Sequence, residues 1–239
     1  MLLYIKHMKP LFRITIGSVS NHGYHLAKLN YKLLKKNYPE ADVVFCYNNI
    51  HEKFVKRFDC CSINQKMYIN SISIKPLKES WKLYPPRLRI ESHEVVLDND
   101  VLLFKRIPEI DEFLSSNKGL MLYADRRVYG SFDSLIEKKL NINSGIFGLP
   151  PNYDFAKNIE KFLKKRPDKK KFNFWCDDQG IVAGCLQEIP YIMIKSVVNH
   201  KPQSYISTKN FYSHGVHLIG ANRNLSDKNF NKILDSLLI

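Results

Sequence analysis

"HEVVLDNDVLLFKRIP", residues 93–108, sets two aspartates inside one of the most apolar stretches of the chain. Val95, Val96 and Leu97 lead into Asp98, and Val101, Leu102, Leu103 and Phe104 follow Asp100. "HEVVL" (93–97) reads as a buried strand, and 101–104 opens a further element. Ionised carboxylates are costly in such a setting unless something pairs with them. In open α/β sheets, ligands bind outside the carboxyl ends of the strands. Two carboxylates one residue apart can both turn toward one point there. Hard oxygen ligands suit Mg²⁺ or Mn²⁺, and such ions usually hold substrate phosphates as well. The expected partner is therefore a divalent cation carrying a diphosphate. The competing reading is a surface turn in which Asp-Asn-Asp is chosen for its turn chemistry.

The flanking sequence supplies the sheet. "LFRITIGSV" (11–19) reads as a strand, 23–39 as a helix with Leu26, Leu29, Leu33 and Leu34 on one face and Pro39 beyond its end, and "ADVVFCY" (41–47) as a second strand. Strand, helix, strand predicts a βαβ unit and a parallel sheet. Residues 60–78 are expected to be extended. A short helix is expected over 107–116, with Pro108 in its first turn. Strands are expected over 119–125, 143–149 and 189–198, and helices over 152–167, from 177, and at the C-terminus over 226–239. The expected fold class is α/β. No Ser/Gly-rich linker divides the chain, so 1–239 is read as one domain.

Hydrophobic residues make up 44% of the chain and aromatics 12%, enough to fill a core. Lys and Arg number 37 against 23 acids, a formal charge of +14, which favours an anionic partner. The five cysteines form no CxxC pair, and this is read as a reducing, cytoplasmic setting. The opening residues, broken by Lys6, Lys9 and Pro10, read as neither a signal peptide nor a membrane span.

"VVLDNDVLL" resembles the DxD strand of nucleotide-sugar glycosyltransferases with the Rossmann-like GT-A fold, which implies a mixed, mainly parallel sheet, a nucleotide-binding half over 11–104 that ends at the aspartates, and an acceptor half over 105–239. The whole chain is similar to the family that includes glycogenin and the lipopolysaccharide galactosyl- and glucosyltransferases. The resemblance also rests on "NHGY" (21–24), "PRL" (86–88), "YAD" (123–125), "NINSGIFGL" (141–149), "DDQGI" (177–181) and "GVHLIG" (215–220), in the family's order. It implies a Mn²⁺ (or Mg²⁺) ion on Asp98, Asp100 and His217, with His214 the competing ligand. It implies a nucleotide-sugar donor, with UDP as the nucleotide, against Ser18, Asn21, Tyr24, Arg87, Asp98 and Asn99. Asn143, Ser144, Gly145, Gly220 and Arg223 complete that donor site. Asp125 would contact the donor sugar, and Gln179, with Asp178 beside it, would lie near the anomeric carbon of a retaining enzyme. The acceptor would be a glycan or a lipid-linked glycan. Two departures from the family pattern stand out: His22 replaces an acid, and "ANR" (221–223) replaces Lys-Pro-Trp, so that Arg223 would stand in for a lysine.

Each residue also has a plain reading. Tyr24 could be helix packing and Arg87 a solvated helix-end arginine. Asp125 could pair with Arg126 or Arg127, Asn143–Gly145 could be a turn, and "DDQ" a helix N-terminus with acids in its first turn. "KFLKKRPDKKKF" (161–172), with seven basic residues and one acid, is a solvated face or a patch for anionic membrane lipids. Phe162 and Phe172 within it could also stack bases, although no recognised nucleic-acid motif accompanies them. Two other classes remain open from sequence. One is a metal-dependent phosphotransferase or nuclease on Asp98 and Asp100. The other is a non-catalytic basic domain that binds nucleic acid or membrane.

Overall fold

The computed structural model describes residues 9–17, 21–50, 55–166, 172–200 and 214–219. Strand β1 (Leu11–Ile16) is followed by helix α1 (Asn21–Asn37) and strand β2 (Asp42–Tyr47), and β1 and β2 pair in parallel. This is the βαβ unit that the periodicity predicts. Strand β3 (Cys61–Asn64) adds to β2 in parallel. Strand β4 (Glu94–Asp98) pairs in parallel with the other side of β1, with Thr15 opposite Asp98. Beyond β4 lie β7 (Ile142–Leu149), antiparallel to it, then β6 (Gly119–Tyr123), antiparallel to β7, and β8 (Tyr191–Ile194), parallel to β6. The order β3-β2-β1-β4-β7-β6-β8 is a mixed, mainly parallel seven-stranded sheet.

Alternation along the strands divides the core between the two faces. Phe12, Ile14, Phe45, Val95 and Leu97 pack with Ala27 and Leu34 of α1. Val96, Met121 and Phe147 pack with the opposite layer, which contains α3 (Phe155–Leu163) and α4 (Asp177–Leu186). Helix α2 (Pro108–Leu114) carries its proline at the start and buries Ile110 and Phe113. A second sheet joins β5 (Val101–Leu103) to β10 (Gly215–Leu218), antiparallel, and β10 to β9 (Val197–His200), parallel.

Two expectations change. Residues 60–78 are extended only over β3; a single 3-10 turn (Gln65–Tyr68) follows, begun by the Asn64 side chain accepting from Lys66 N. The single strand expected over 189–198 is two strands in different sheets. The break falls at Lys195 and Ser196, where the Glu109 carboxylate accepts from both backbone N–H groups and from Ser196 Oγ. Phe162 and Phe172 are both core residues, so neither offers a ring face to a base. All five cysteines are free. Among the described residues no helix is long and apolar enough to cross a membrane. Residues 226–239 lie outside the described residues.

Candidate active site

The Asp98–Asp100 turn leaves the large sheet at the carboxyl end of β4 and enters the small one through β5. Backbone groups hold it on both sides. Asn30 Nδ2 donates to Asp98 O at 3.1 Å, and Leu218 N donates to Asp100 O at 3.0 Å. Asn99, expected at the donor, is buried and donates its side-chain amide to Gly23 O at 3.0 Å, tying the turn to the first turn of α1. Because β10 runs antiparallel to β5, His217 falls opposite Val101. Its Nε2 lies 3.7 Å from Asp98 Oδ2 and 3.5 Å from Asp100 Oδ1. It is His217 that joins the two aspartates. His214 sits before the strand, where its backbone bonds Ser196 and Phe104. A Cβ on Gly145 would overlap the His217 ring, so the glycine in β7 lets that strand pass against the imidazole.

The first partner of the aspartates is a lysine. Lys82 closes a short 3-10 segment (Lys78–Leu83), and its ammonium reaches Asp98 Oδ1 at 2.7 Å and Oδ2 at 2.8 Å. It also lies 3.3 Å from both Ser144 O and Ser144 Oγ, and 3.5 Å from Asp178 Oδ2. Burial by itself would lower the Lys82 pKa. The carboxylates of Asp98, Asp178 and Asp100 outweigh burial and hold it above its ordinary value. The buried Asp178 carboxyl is pushed up by desolvation, with Lys82 opposing. Asp178 also accepts from Ser144 Oγ at 3.0 Å. Gln179 accepts from Ser144 N at 3.1 Å and donates to Val128 O at 2.8 Å, so both ends of its amide are fixed. Asn143 accepts from Gly145 N at 2.7 Å. Strand β7 and helix α4 are thus stitched together beside the aspartates.

Other expected residues lie elsewhere. Arg87 was expected to reach the donor, but it sits by Glu94, at the opposite end of β4 from Asp98. Its guanidinium donates to the carbonyls of Arg89, Ile90, Ser92 and Pro150, so it is neither a solvated arginine nor a site cation. Lys82 takes the cationic place. The sequence signal for it was a lone charge between Trp81 and Leu83, one turn ahead of two prolines. Asp177 turns away from the site to accept from Ser131, Asn173 and Phe174 backbone N–H groups. Asp125 is exposed just past β6, and Arg127 pairs with Asp133 instead. Asn21 is exposed at the start of α1, and Tyr24 packs its ring 5.7 Å from that of Phe58. Ser18, Gly220 and Arg223 lie outside the described residues, as does 167–171 of the basic run.

One ligand atom from each of Asp98, Asp100 and His217 lies within 4.8 Å of the others. Donors bound to one ion at about 2.1 Å can stand at most about 4.2 Å apart. Side-chain shifts of a few tenths of an ångström would close the set, and two carboxylates with one imidazole suit a first-row divalent ion. The residues present therefore fit a metal.

No family model and no curated protein sequence matches this chain. Solved structures do. The galactosyltransferase LgtC, solved with donor and acceptor sugar analogs, aligns over 95% of each chain with a TM-score of 0.60 and 12% identity. WbbM, a bifunctional glycosyltransferase, aligns with a TM-score of 0.69 and 10% identity over 98% of this chain, which spans 50% of WbbM. Mouse xyloside xylosyltransferase 1 aligns over 91% of this chain and 99% of its own, with a TM-score of 0.56 and 10% identity. The chain therefore has the fold of these glycosyltransferases.

Proposed function

We propose that this protein is a metal-dependent glycosyltransferase that moves a sugar from a nucleotide-diphosphate donor to a glycan or lipid-linked acceptor. The observation that carries the reading is the convergence of Asp98, Asp100 and His217 at the carboxyl end of a central strand, with the Lys82 ammonium against Asp98. A bare phosphoesterase would need the carboxylates alone. Here β7 and α4 also bring Ser144, Asp178 and Gln179 to the same place, a wall of short polar groups suited to sugar hydroxyls.

Asp98, Asp100 and His217 would hold the ion, Mn²⁺ ahead of Mg²⁺ because imidazole is the poorer ligand for the latter. When bound, the metal supplies Lewis-acid neutralisation of the leaving diphosphate. Lys82 adds a fixed positive charge where negative charge develops on the leaving group. Asn21 and Tyr24, on the first turn of α1, would meet the nucleobase. Asp125 would accept from a donor hydroxyl. Retention of configuration is supported by the environment of Asp178. Its Oδ2 is engaged by both Lys82 and Ser144, which leaves that oxygen poorly placed to take a proton from an acceptor, as an inverting base must. Gln179 then faces the anomeric centre as a neutral group.

The test is calorimetry of UDP with Mn²⁺, repeated with EDTA and with Asp100→Ala. The expected result is heat of binding that disappears in both controls. Binding of GDP or CDP in place of UDP would keep the class and change the donor. Absence of nucleotide binding would overturn the reading.

A further inference from the structure

We infer that Asn199 is a positioning residue that decides which nitrogen of His217 faces the two aspartates. The inference rests on the metal reading above. Strands β9 and β10 run parallel with Asn199 opposite His217. The Asn199 amide has two unlike ends, and the structure gives each a partner. Nδ2 lies 2.7 Å from Tyr123 O. A backbone carbonyl can only accept, so this contact fixes the amide with its nitrogen toward β6. Oδ1 is then turned to His217 Nδ1 at 3.0 Å. That oxygen can also only accept, so Nδ1 carries the ring proton. The lone pair is left on Nε2, the atom that lies 3.5 Å from Asp100 and 3.7 Å from Asp98. One carbonyl at the end of β6 thereby sets the tautomer of a histidine in a different sheet.

The ring is also held from β7. The face against Gly145 has no room for a side chain, so the imidazole cannot swing that way. Asn199 supplies the hydrogen bond that fixes its remaining freedom. A partner on the far nitrogen of a ligating histidine is worth about 10–100-fold in metal affinity. Tyr123 precedes Asp125 by two residues, so the same amide ties the segment carrying that aspartate to the metal-facing imidazole.

The experiment titrates Mn²⁺ alone into the parent, Asn199→Ala and Asn199→Asp, following free Mn²⁺ by electron paramagnetic resonance. It also records the ring nitrogens of ¹⁵N-histidine-labelled, metal-free protein by long-range ¹H–¹⁵N correlation. Asn199→Asp keeps an acceptor toward Nδ1–H but loses the donor to Tyr123 O. The expected result is Mn²⁺ affinity lowered about 10–100-fold in Asn199→Ala and kept within about threefold in Asn199→Asp, with His217 as the Nδ1–H tautomer in the parent. Equal affinity in Asn199→Ala and the parent overturns the inference. An equal loss in both variants also overturns it, because the Tyr123 contact would then be what matters. So does an Nε2–H tautomer in the parent, which is read without metal. A parent that takes up no Mn²⁺ removes the metal reading itself and this inference with it.

Discussion

With Lys82 removed, Asp98 and Asp178 would share a buried site with no cation between them, since its ammonium is what bridges the two. Lys82→Ala should lower transfer about 10²–10³-fold, the usual cost of losing one preorganised charge at a developing anion, as read from kcat on a UDP-sugar. Arg87→Ala should behave in the opposite way. It strips a buried guanidinium from four carbonyls, so unfolding free energy should fall by about 3 kcal/mol in urea titrations while kcat of the folded protein changes less than about threefold. The two residues show what was legible at this scale. Asp98 and Asp100 stand out in the sequence, because ionised carboxylates inside an apolar run are expensive without a partner, whereas His217 was singled out chiefly by the family resemblance. Lys82 and Arg87 are both basic residues near two prolines, and only tertiary structure says which one turns toward β4's carboxyl end. Asn199 gave still less signal: a single amide in an otherwise apolar strand can be an edge residue, and its role depends on a carbonyl far away in sequence.

At the level of elements, period and punctuation located the four described α-helices and the strands β1, β2, β4, β6 and β7, and one error came where a side chain overrides the local pattern. The apolar run 189–198 has no breaker at its centre; Glu109, from α2, breaks it. The Glu109 carboxyl is desolvated, which would raise its pKa, but the hydrogen bonds from Ser196 and Lys195 win and hold it below its ordinary value of 4.5. A depressed carboxyl contributes stability that is complete above that value and is lost as the pH falls through it toward the folded pKa. Below about pH 4.5 the parent should therefore lose stability with acid more steeply than Glu109→Gln, in urea midpoints measured at successive pH values. Helix packing gives a second test. Gly184 in α4 lies so close to the Phe162 ring of α3 that a Cβ there would overlap it. Alanine is the better helix former by about 1 kcal/mol, yet the clash should win. Gly184→Ala is expected to destabilise by about 1–3 kcal/mol in the same titrations.

Across the whole molecule, the candidate metal ligands come from two sheets: Asp98 ends β4 in the large one, and His217 lies on β10 in the small one. A ligand that engages both should stabilise the whole rather than one half. Mn²⁺ with UDP at 100 times the dissociation constant should add about 2.7 kcal/mol and raise Tm by about 5–10 °C, whereas Asp98→Ala should show no shift. The place where the chain leaves the large sheet at the Asp98–Asp100 turn was readable from sequence, because two carboxylates interrupt an apolar run there. The second sheet was not readable, because β5 lies far from β9 and β10 along the chain and short apolar runs do not say which strand they pair with. That separation has a kinetic meaning. The βαβ unit is local and can close early, whereas β5 must wait for β10 to return from the far end of the described chain, and such long closures are slow. The ion site would then be the last part of the molecule to exist. In a refolding experiment, far-ultraviolet circular dichroism should recover well before the protein can withdraw Mn²⁺ from solution, so metal uptake would time the end of folding.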